Sequence, residues 1–452
     1  MIRRPVQSRE GRALLIFMKY PEAKGVKTRL SRDIGHENAL SVYQKLVRRT
    51  LGLVSDFKNS QRDVDVLLFY YPPESKEKLL KSYPGPWQFV PQASGHLGEK
   101  MSSAFHYVFK KGFPSAVLIG TDIADIMPDD IHDAFQALNE TSAVVGPAKD
   151  GGFYLLGLSV AFDMIFKFDS WSTPSVFERT LKCFHASNLK VTTLKIRNDV
   201  DKEEDLVCLK TNPMFQDQIS IIIPFLDETT QVATLVNALE SQLWPGDEII
   251  LVKGGSPHGF SYENISTRTR LFFASKGRGN QFNYGVKTAQ NNLLWFLHAD
   301  TVPPPNFGYH IRKISQGNGN VLGCFELSFR PTSPILELIS KWANLRTKYF
   351  RLPYGDQGLF CSREFFSSMG GFKKQFLMED VDFVRRCRRM GKLLLVPHHL
   401  YSSSKRYMGK GPFRASLQNH LLMLLHSLGI SDRRLYSLYY RGLQQPETRL
   451  FL

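Results

Sequence analysis

Long apolar runs are missing from this chain. No stretch approaches the roughly 18 consecutive apolar residues that a bilayer crossing needs. The short run 13–18 (Ala-Leu-Leu-Ile-Phe-Met) is followed by Lys19 and Pro21, so it predicts a first strand and not a signal peptide. Cysteine is scarce: Cys183, Cys208, Cys324, Cys361 and Cys387 are odd in number and scattered, with no metal-like pairing. That argues against a disulfide framework and against zinc, and points to a reduced, cytoplasmic setting. Zinc-finger spacing and the aromatic-basic signature of ribonucleoprotein strands are also absent. No low-complexity linker interrupts the sequence.

What is present is a large positive charge. The formal net charge is +16, which suits nucleic acid, an anionic membrane face or phosphorylated small molecules. The densest basic run, Arg385-Arg386-Cys387-Arg388-Arg389, falls on an expected helix, where neighbouring side chains point in different directions. Without any recognition signature, no nucleic-acid partner is expected. At 452 residues and 42% hydrophobic, the chain can bury two cores.

The pattern along the chain supports two domains. Apolar strand candidates at 13–18, 64–70, 116–121, 143–146, 153–158 and 191–196 alternate with helical stretches at 37–54, 99–111 and 129–138, a doubly wound arrangement. Thr211-Asn212-Pro213 breaks a short helix, and the expected domains are 1–212 and 216–452. A new strand at 219–224 restarts the series, followed by a helix from about 229 to 242 and strands at 248–252 and 293–297. Two of the apolar strands, 116–121 and 293–297, run on to acids, Asp122 and Asp300, with a proline soon after. All-apolar strands suit a parallel sheet buried on both faces, and such sheets bind ligands beyond their strand C-termini.

Four segments of the second half carry useful side chains. Asp227 and Glu228 follow the strand at 219–224 and could receive the ribose or base of a nucleotide. The run Lys276-Gly-Arg278-Gly-Asn280-Gln281-Phe-Asn283-Tyr-Gly285 combines glycines that permit close backbone approach with Arg278, a planar fork for phosphate oxygens. His298-Ala-Asp300 offers an acid able to hold a divalent ion. Met378-Glu379-Asp380-Val-Asp382 follows Tyr354-Gly-Asp356-Gln357-Gly358.

Taken in order, IIIPFLDE, GRGNQFNYG, FLHADTVPPP, PYGDQGLF, GGF and MEDVDFVRRCRRMG resemble family-two glycosyltransferases, most closely the branch linked to arsenosugar biosynthesis, over residues 218–440. The resemblance implies a GT-A fold, a nucleotide-sugar donor, and an inverting single displacement assisted by Mg or Mn. It gives Asp300 the metal-binding role, with His298 as either a second ligand or a structural residue. Asp380 of the Glu379-Asp380 pair becomes the general base, while Asp356 and Gln357 position donor or acceptor. Two positions depart from the family: Lys253 stands where relatives carry an acid that helps recognise the nucleotide, and Asp227 where asparagine is common.

In the first half, a strand runs into Lys24-Gly-Val-Lys27-Thr-Arg29, a basic loop that could cradle a triphosphate. With Gly120-Thr-Asp122, Lys149-Asp150-Gly-Gly and Asp199-Val-Asp201, it resembles nucleotidyltransferase-like domains similar to 2-phospholactate guanylyltransferase, over about residues 12–208. The implied metal acids are Asp122 and Asp201 first, then Asp150. Ile123-Ala124-Asp125 and Lys202 depart from that pattern.

The expectation is two tandem Rossmann-like α/β domains of the GT-A, nucleotide-diphospho-sugar transferase type. The first is nucleotidyltransferase-like and the second a glycosyltransferase; partners are a nucleotide sugar, a nucleoside triphosphate and an acceptor. The apolar-rich helix near Arg414, Arg433 and Arg434 either packs on its own domain or rests on a membrane through 414–434, which would suit a lipid-linked acceptor. Two other readings stay open: a nucleotide-sugar-binding scaffold with a donor site degraded at Lys253, and a nucleotidyltransferase whose second half recruits acceptor.

Overall fold

The computed structural model describes residues 11–171, 173–257, 266–316, 319–375 and 377–440. Residues 1–10 and 441–452, inside the expected domain bounds, lie outside it. The chain divides into compact units at Gln216/Asp217, slightly later than expected. The reason is the short helix Pro213–Gln216, which packs back on the first unit: Met214 and Phe215 are buried, and the Phe215 carbonyl accepts from Lys45 Nζ at 3.1 Å.

The first unit is built on a seven-stranded sheet. Its strands are β1 (Arg12–Lys19), β2 (Val64–Tyr71), β3 (Gln88–Pro91), β4 (Ala116–Gly120), β5 (Ala143–Pro147), β6 (Phe153–Leu158) and β7 (Val191–Thr193), in the order β3-β2-β1-β4-β6-β5-β7. The second unit has β8 (Ile219–Phe225), β9 (Glu248–Gly254), β10 (Thr269–Ala274), β11 (Leu293–Phe296), β12 (Thr301–Val302), β13 (Val321–Arg330), β14 (Phe360–Ser362) and β15 (Lys392–Ser403), in the order β10-β9-β8-β11-β14-β13-β15-β12. Strand for strand the two orders are the same, with β12 added at the edge. The directions agree as well. Four parallel strands lead to one antiparallel strand, β6 or β14, after which the next pair runs parallel to one another.

The apolar runs form strands because each can be buried on both sides. All seven residues of β8 are buried. Ile219, Ile221, Ile223 and Phe225 enter one core with Trp295 and the helix Thr229–Glu240, while Ile222 enters the opposite core with Ile250, Val252, Leu294 and Phe296. This is the period of two of a strand, expressed on both faces of one sheet. Truncating Ile221 or Ile222 to Ala would cost about 2–5 kcal/mol each, from lost transfer energy and the cavity left.

In each sheet the order reverses between the first and fourth strands, β1/β4 and β8/β11. Chain leaving those neighbours diverges and opens a crevice at their C-terminal ends. The loops that leave β1 and β4 carry Lys27 and Asp122; those that leave β8 and β11 carry Glu228 and Asp300.

Candidate active site

At the β8/β11 crevice lies a cavity of about 1000 Å³, lined in part by Glu228, Arg278, His298, Asp300, Asp356 and Asp380. Each comes from a different structural cause. Asp300 follows β11, and the next two residues, Thr301 and Val302, pair with Ser402 and Tyr401 of β15, which fixes the turn. Thr301 Oγ1 closes it by donating to the His298 carbonyl at 2.8 Å. Asp300 faces the cavity, and burial raises its pKa; Glu228 adds to the rise, while its own backbone amide, Arg278 and Lys405 oppose it. A cation in the cavity would relieve that cost.

Asp380 lies in the first turn of the helix Glu379–Met390, just after Met378, whose backbone is left-handed at φ 67°. For a non-glycine residue that is a strained conformation, and it aims the start of this helix at the cavity. Asp380 Oδ2 accepts from the Gly355 N–H at 2.6 Å and Oδ1 from the Val381 N–H at 2.9 Å. Each oxygen keeps a lone pair for another donor. Glycine suits position 355, since a Cβ there would crowd Asp380 Oδ2 at 3.0 Å and His298 Nε2 at 3.1 Å. His298 therefore lies close to Asp380 beside Gly355. Burial and Arg278 drive its pKa down to about 3 against the pull of Asp380, so the ring is neutral.

Several expected site residues have other work. Glu379 adjoins Asp380 in sequence, but successive helical residues diverge by about 100°. Its buried carboxylate receives Arg278 Nε at 2.5 Å, so it anchors Arg278 from outside the cavity lining. Gln357 is fully buried, accepting from Thr347 Oγ1 at 2.8 Å and donating to the Phe325 carbonyl at 3.1 Å. It braces the loop. Asn280 donates to the Lys276 carbonyl at 3.1 Å, capping its own turn outside the cavity lining. In the same motif, Gln281 stitches β8 to β9 by donating to Phe225 and Val252 carbonyls at 2.9 and 2.7 Å. Lys253 lies outside the cavity lining too: its ammonium donates to the Leu226 carbonyl at 2.8 Å and sits 3.8 Å from Asp227. Asp227 is almost fully exposed, while Glu228 Oε2 accepts from the Leu226 and Asp227 N–H groups at 2.8 and 3.1 Å.

Asp356 stays at the cavity wall. Burial drives its pKa up to about 6, with Arg346 opposing and Asp380 reinforcing the rise, and its Oδ1 has no hydrogen-bond partner. The sequence reading missed Arg330, Tyr401, Lys405 and Tyr407, which also line the cavity. They sit at the ends of β13 and β15 and on the helix that follows, with no local motif to mark them. The Arg330 guanidinium lies 3.7 Å from the Tyr401 ring centre.

In the first unit, Lys27, Asp122 and Asp201 come together as one cluster. Lys27 Nζ donates to Asp122 Oδ2 and Asp201 Oδ1, both at 3.0 Å, while Arg29 Nη1 reaches Asp201 Oδ2 at 3.4 Å. Burial pulls the Lys27 pKa down, but the two acids outweigh it and the net direction is up. Lys24 is exposed. The acids able to share a metal are Asp150, Asp199 and Asp201, whose ligand atoms lie within 4.8 Å of one another. Asp122 is not among them: the ammonium of Lys27 occupies its side of Asp201. Asp199 stands in the quoted Asp199-Val-Asp201 motif but was given no metal role, although its i, i+2 spacing from Asp201 in extended chain sets both on one side. Burial, then Asp150 and Asp201, push its pKa up to about 6.

Comparison with known proteins bears on both units. Residues 220–370 match the model of Glycosyl transferase family 2. The second unit carries a glycosyltransferase family 2 domain. Residues 58–173 match a family described as an uncharacterized protein conserved in bacteria, DUF2064. Beside this DUF2064 and family 2 pairing stands an uncharacterized glycosyltransferase of Rickettsia conorii, 27% identical over 118 residues. That match covers 24% of this chain, and the chain spans about one fifth of the relative's length, 20%. Among solved structures, a Desulfovibrio desulfuricans protein described as a nucleotide-diphospho-sugar transferase is 30% identical, with 45% of this chain and 92% of that chain covered and a TM-score of 0.41. A Pyrobaculum calidifontis mannosyltransferase in complex with GDP-Man and Mn2+ is 15% identical, with 52% and 72% covered and a TM-score of 0.36.

Proposed function

We propose that the second unit transfers a sugar from a nucleotide-sugar donor to an acceptor hydroxyl, by an inverting single displacement in the cavity at the β8/β11 crevice. The observation that carries this reading is the convergence there of Asp300, Arg278 and Asp380 from three separate segments. Asp380, held by two backbone N–H groups, takes the proton as the acceptor oxygen bonds to the anomeric carbon. The bond from that carbon to the diphosphate breaks, and the nucleoside diphosphate leaves. Arg278, anchored by Glu379, pairs with a diphosphate oxygen. Asp300 would hold a magnesium or manganese ion, which supplies neutralisation of charge on the leaving group. Among the described residues no trio of acids or histidines forms around Asp300, which suits an ion completed by phosphate oxygens and water. Neutral His298 donates or accepts one hydrogen bond beside the base without competing for the proton.

Lys253 bears on the scaffold alternative. A donor site degraded by charge reversal needs that ammonium inside the pocket, whereas it is bonded to the Leu226 carbonyl. In this reading Lys253 stiffens the loop that presents Glu228. The first unit we assign to nucleotide binding, with Lys27 in place of a metal between Asp122 and Asp201; nucleotidyl transfer by this unit would use a metal held by Asp150, Asp199 and Asp201 instead.

The test is thermal unfolding of the wild type and Asp300→Ala with a panel of nucleotide sugars, with and without Mn2+. One donor class should stabilise the wild type only with metal, by about 2.7 kcal/mol at a hundredfold excess over Kd. Asp300→Ala should lose that response. A panel without effect on the wild type would refute donor binding.

A further inference from the structure

Two neighbouring helices of the second unit each expose a stripe of large apolar side chains. On the helix Pro334–Phe350, Ile335, Leu338, Trp342, Leu345 and Tyr349 are between 46% and 69% exposed. On and just after the helix Pro412–Ser427, Phe413, Leu417, Leu421, Leu424 and Leu428 are between 53% and 72% exposed. At about 100° per residue, each set falls within an arc of roughly 80°. The helices pack on each other, and Trp342 Nε1 donates to His420 Nε2 at 2.9 Å across the seam. His420 adjoins the second stripe and Trp342 belongs to the first, so the stripes form one surface.

The border of this surface is mostly basic, with Glu337 the one acid on its first helix. Lys341 and Lys348 flank the first stripe, Arg414 flanks the second, and Arg433 and Arg434 are exposed on the next helix. The helix Pro412–Ser427 carries no acid at all. Apolar residues with aromatic Trp and Tyr at one face and cations at its edge are the composition of a helix lying in a bilayer interface. No described helix is long and apolar enough to cross one.

We propose that this two-helix face rests on an anionic membrane surface, with the stripes in the headgroup–acyl boundary and the lysines and arginines on lipid phosphates. The same helix Pro412–Ser427 turns Asn419 and Met423 into the cavity, roughly 120–160° around from its apolar stripe. One helix thus divides the cavity from the lipid plane, and an amphiphilic acceptor carried in that leaflet is the substrate class the arrangement serves. The acceptor class rests on the transfer reading; membrane attachment does not.

The experiment is flotation of the full chain with vesicles of phosphatidylcholine, with and without phosphatidylglycerol. The wild type should float with the anionic vesicles, and Trp342 should report entry by a blue-shifted emission lost in Trp342→Phe. Leu338→Glu combined with Leu421→Glu should abolish flotation while the circular dichroism melt stays cooperative. Lys341→Ala and Arg414→Ala should each weaken binding to anionic vesicles by about fivefold. Wild type that stays with the lipid-free fraction, or a double glutamate variant that floats as well as the wild type, would overturn the proposal. A concentration-dependent dimer in light scattering, dissolved by the same double variant, would overturn it as well by assigning the face to a second copy of the chain.

Discussion

Replacing Asp356 by Asn should make the second unit more stable at alkaline pH. The Asp356 carboxyl has a pKa of about 6 in the fold against 3.8 as an ordinary group, with burial as the main cause. The folded protein therefore holds that proton more tightly than the unfolded chain between those values, so stability falls as pH rises through the window and the full penalty is present above it. At 1.36 kcal/mol per pH unit, the upper limit is about 3 kcal/mol. Access to water through the cavity and lost attraction to Arg346 reduce it to about 1–2 kcal/mol. For a unit of this size that is a rise of about 2–8 °C in Tm. Calorimetric melts of both proteins across the acid to alkaline range supply the test. The gap should be largest near pH 8, shrink through pH 6 and close near pH 4. Sugar transfer should fall in the same variant, because a site holds such a group at a cost in stability for what it does to substrate. A Tm difference that does not change with pH, or a variant that melts lower at pH 8, would refute the reasoning.

Glu379→Gln keeps shape but drops the charge that anchors Arg278, so donor Kd should rise by about tenfold with a smaller change in turnover; a dead enzyme with unchanged donor affinity would instead give Glu379 a part in the chemical step. Lys27→Met should destabilise the first unit by about 1–3 kcal/mol, discounted because Asp122 and Asp201 are partly exposed. The raised Lys27 pKa means that its contribution is complete below the ordinary lysine value of 10.5, lost only above it, and fully visible at neutral pH. The same variant should bind Mn2+ more tightly in calorimetry, since Asp122 and Asp201 are freed; unchanged or weaker binding would contradict the cluster described.

The layout of strands was legible because burial on both faces writes itself as uninterrupted apolar runs. The strands at 13–18 and 293–297 are such runs and 219–224 is broken only by the buried Ser220, and each proved central to its sheet. Edge and late strands were less visible: Gln88–Pro91 is only four residues long with both ends exposed, and Lys392–Ser403 mixes apolar residues with histidine, serine and lysine. The shared order of the two sheets depends on pairings between segments far apart in sequence, and no local pattern records them.

For the site, position at a strand end or helix start was informative and the role of a neighbour was not. Asp300, Arg278 and Asp380 reach the cavity as expected, while Glu379, Gln357, Asn280 and Lys253 turn to internal partners. Which of two adjacent polar residues meets substrate is decided by the direction of a side chain on its helix or loop. Tyr401, Lys405 and Tyr407 could not have been found locally, since they reach the cavity only because β15 pairs with both β13 and β12.

The central claim is that Asp380 removes the acceptor proton, and single-turnover transfer by Asp380→Asn tests it most directly. Asparagine keeps the size and the bond from the Gly355 N–H but cannot take the proton. Once the donor is identified, transfer from it should slow by about two to four orders of magnitude with donor Kd within about threefold of the wild type. Transfer at the wild-type rate, or a loss of rate matched by an equal loss of donor affinity, would contradict the account.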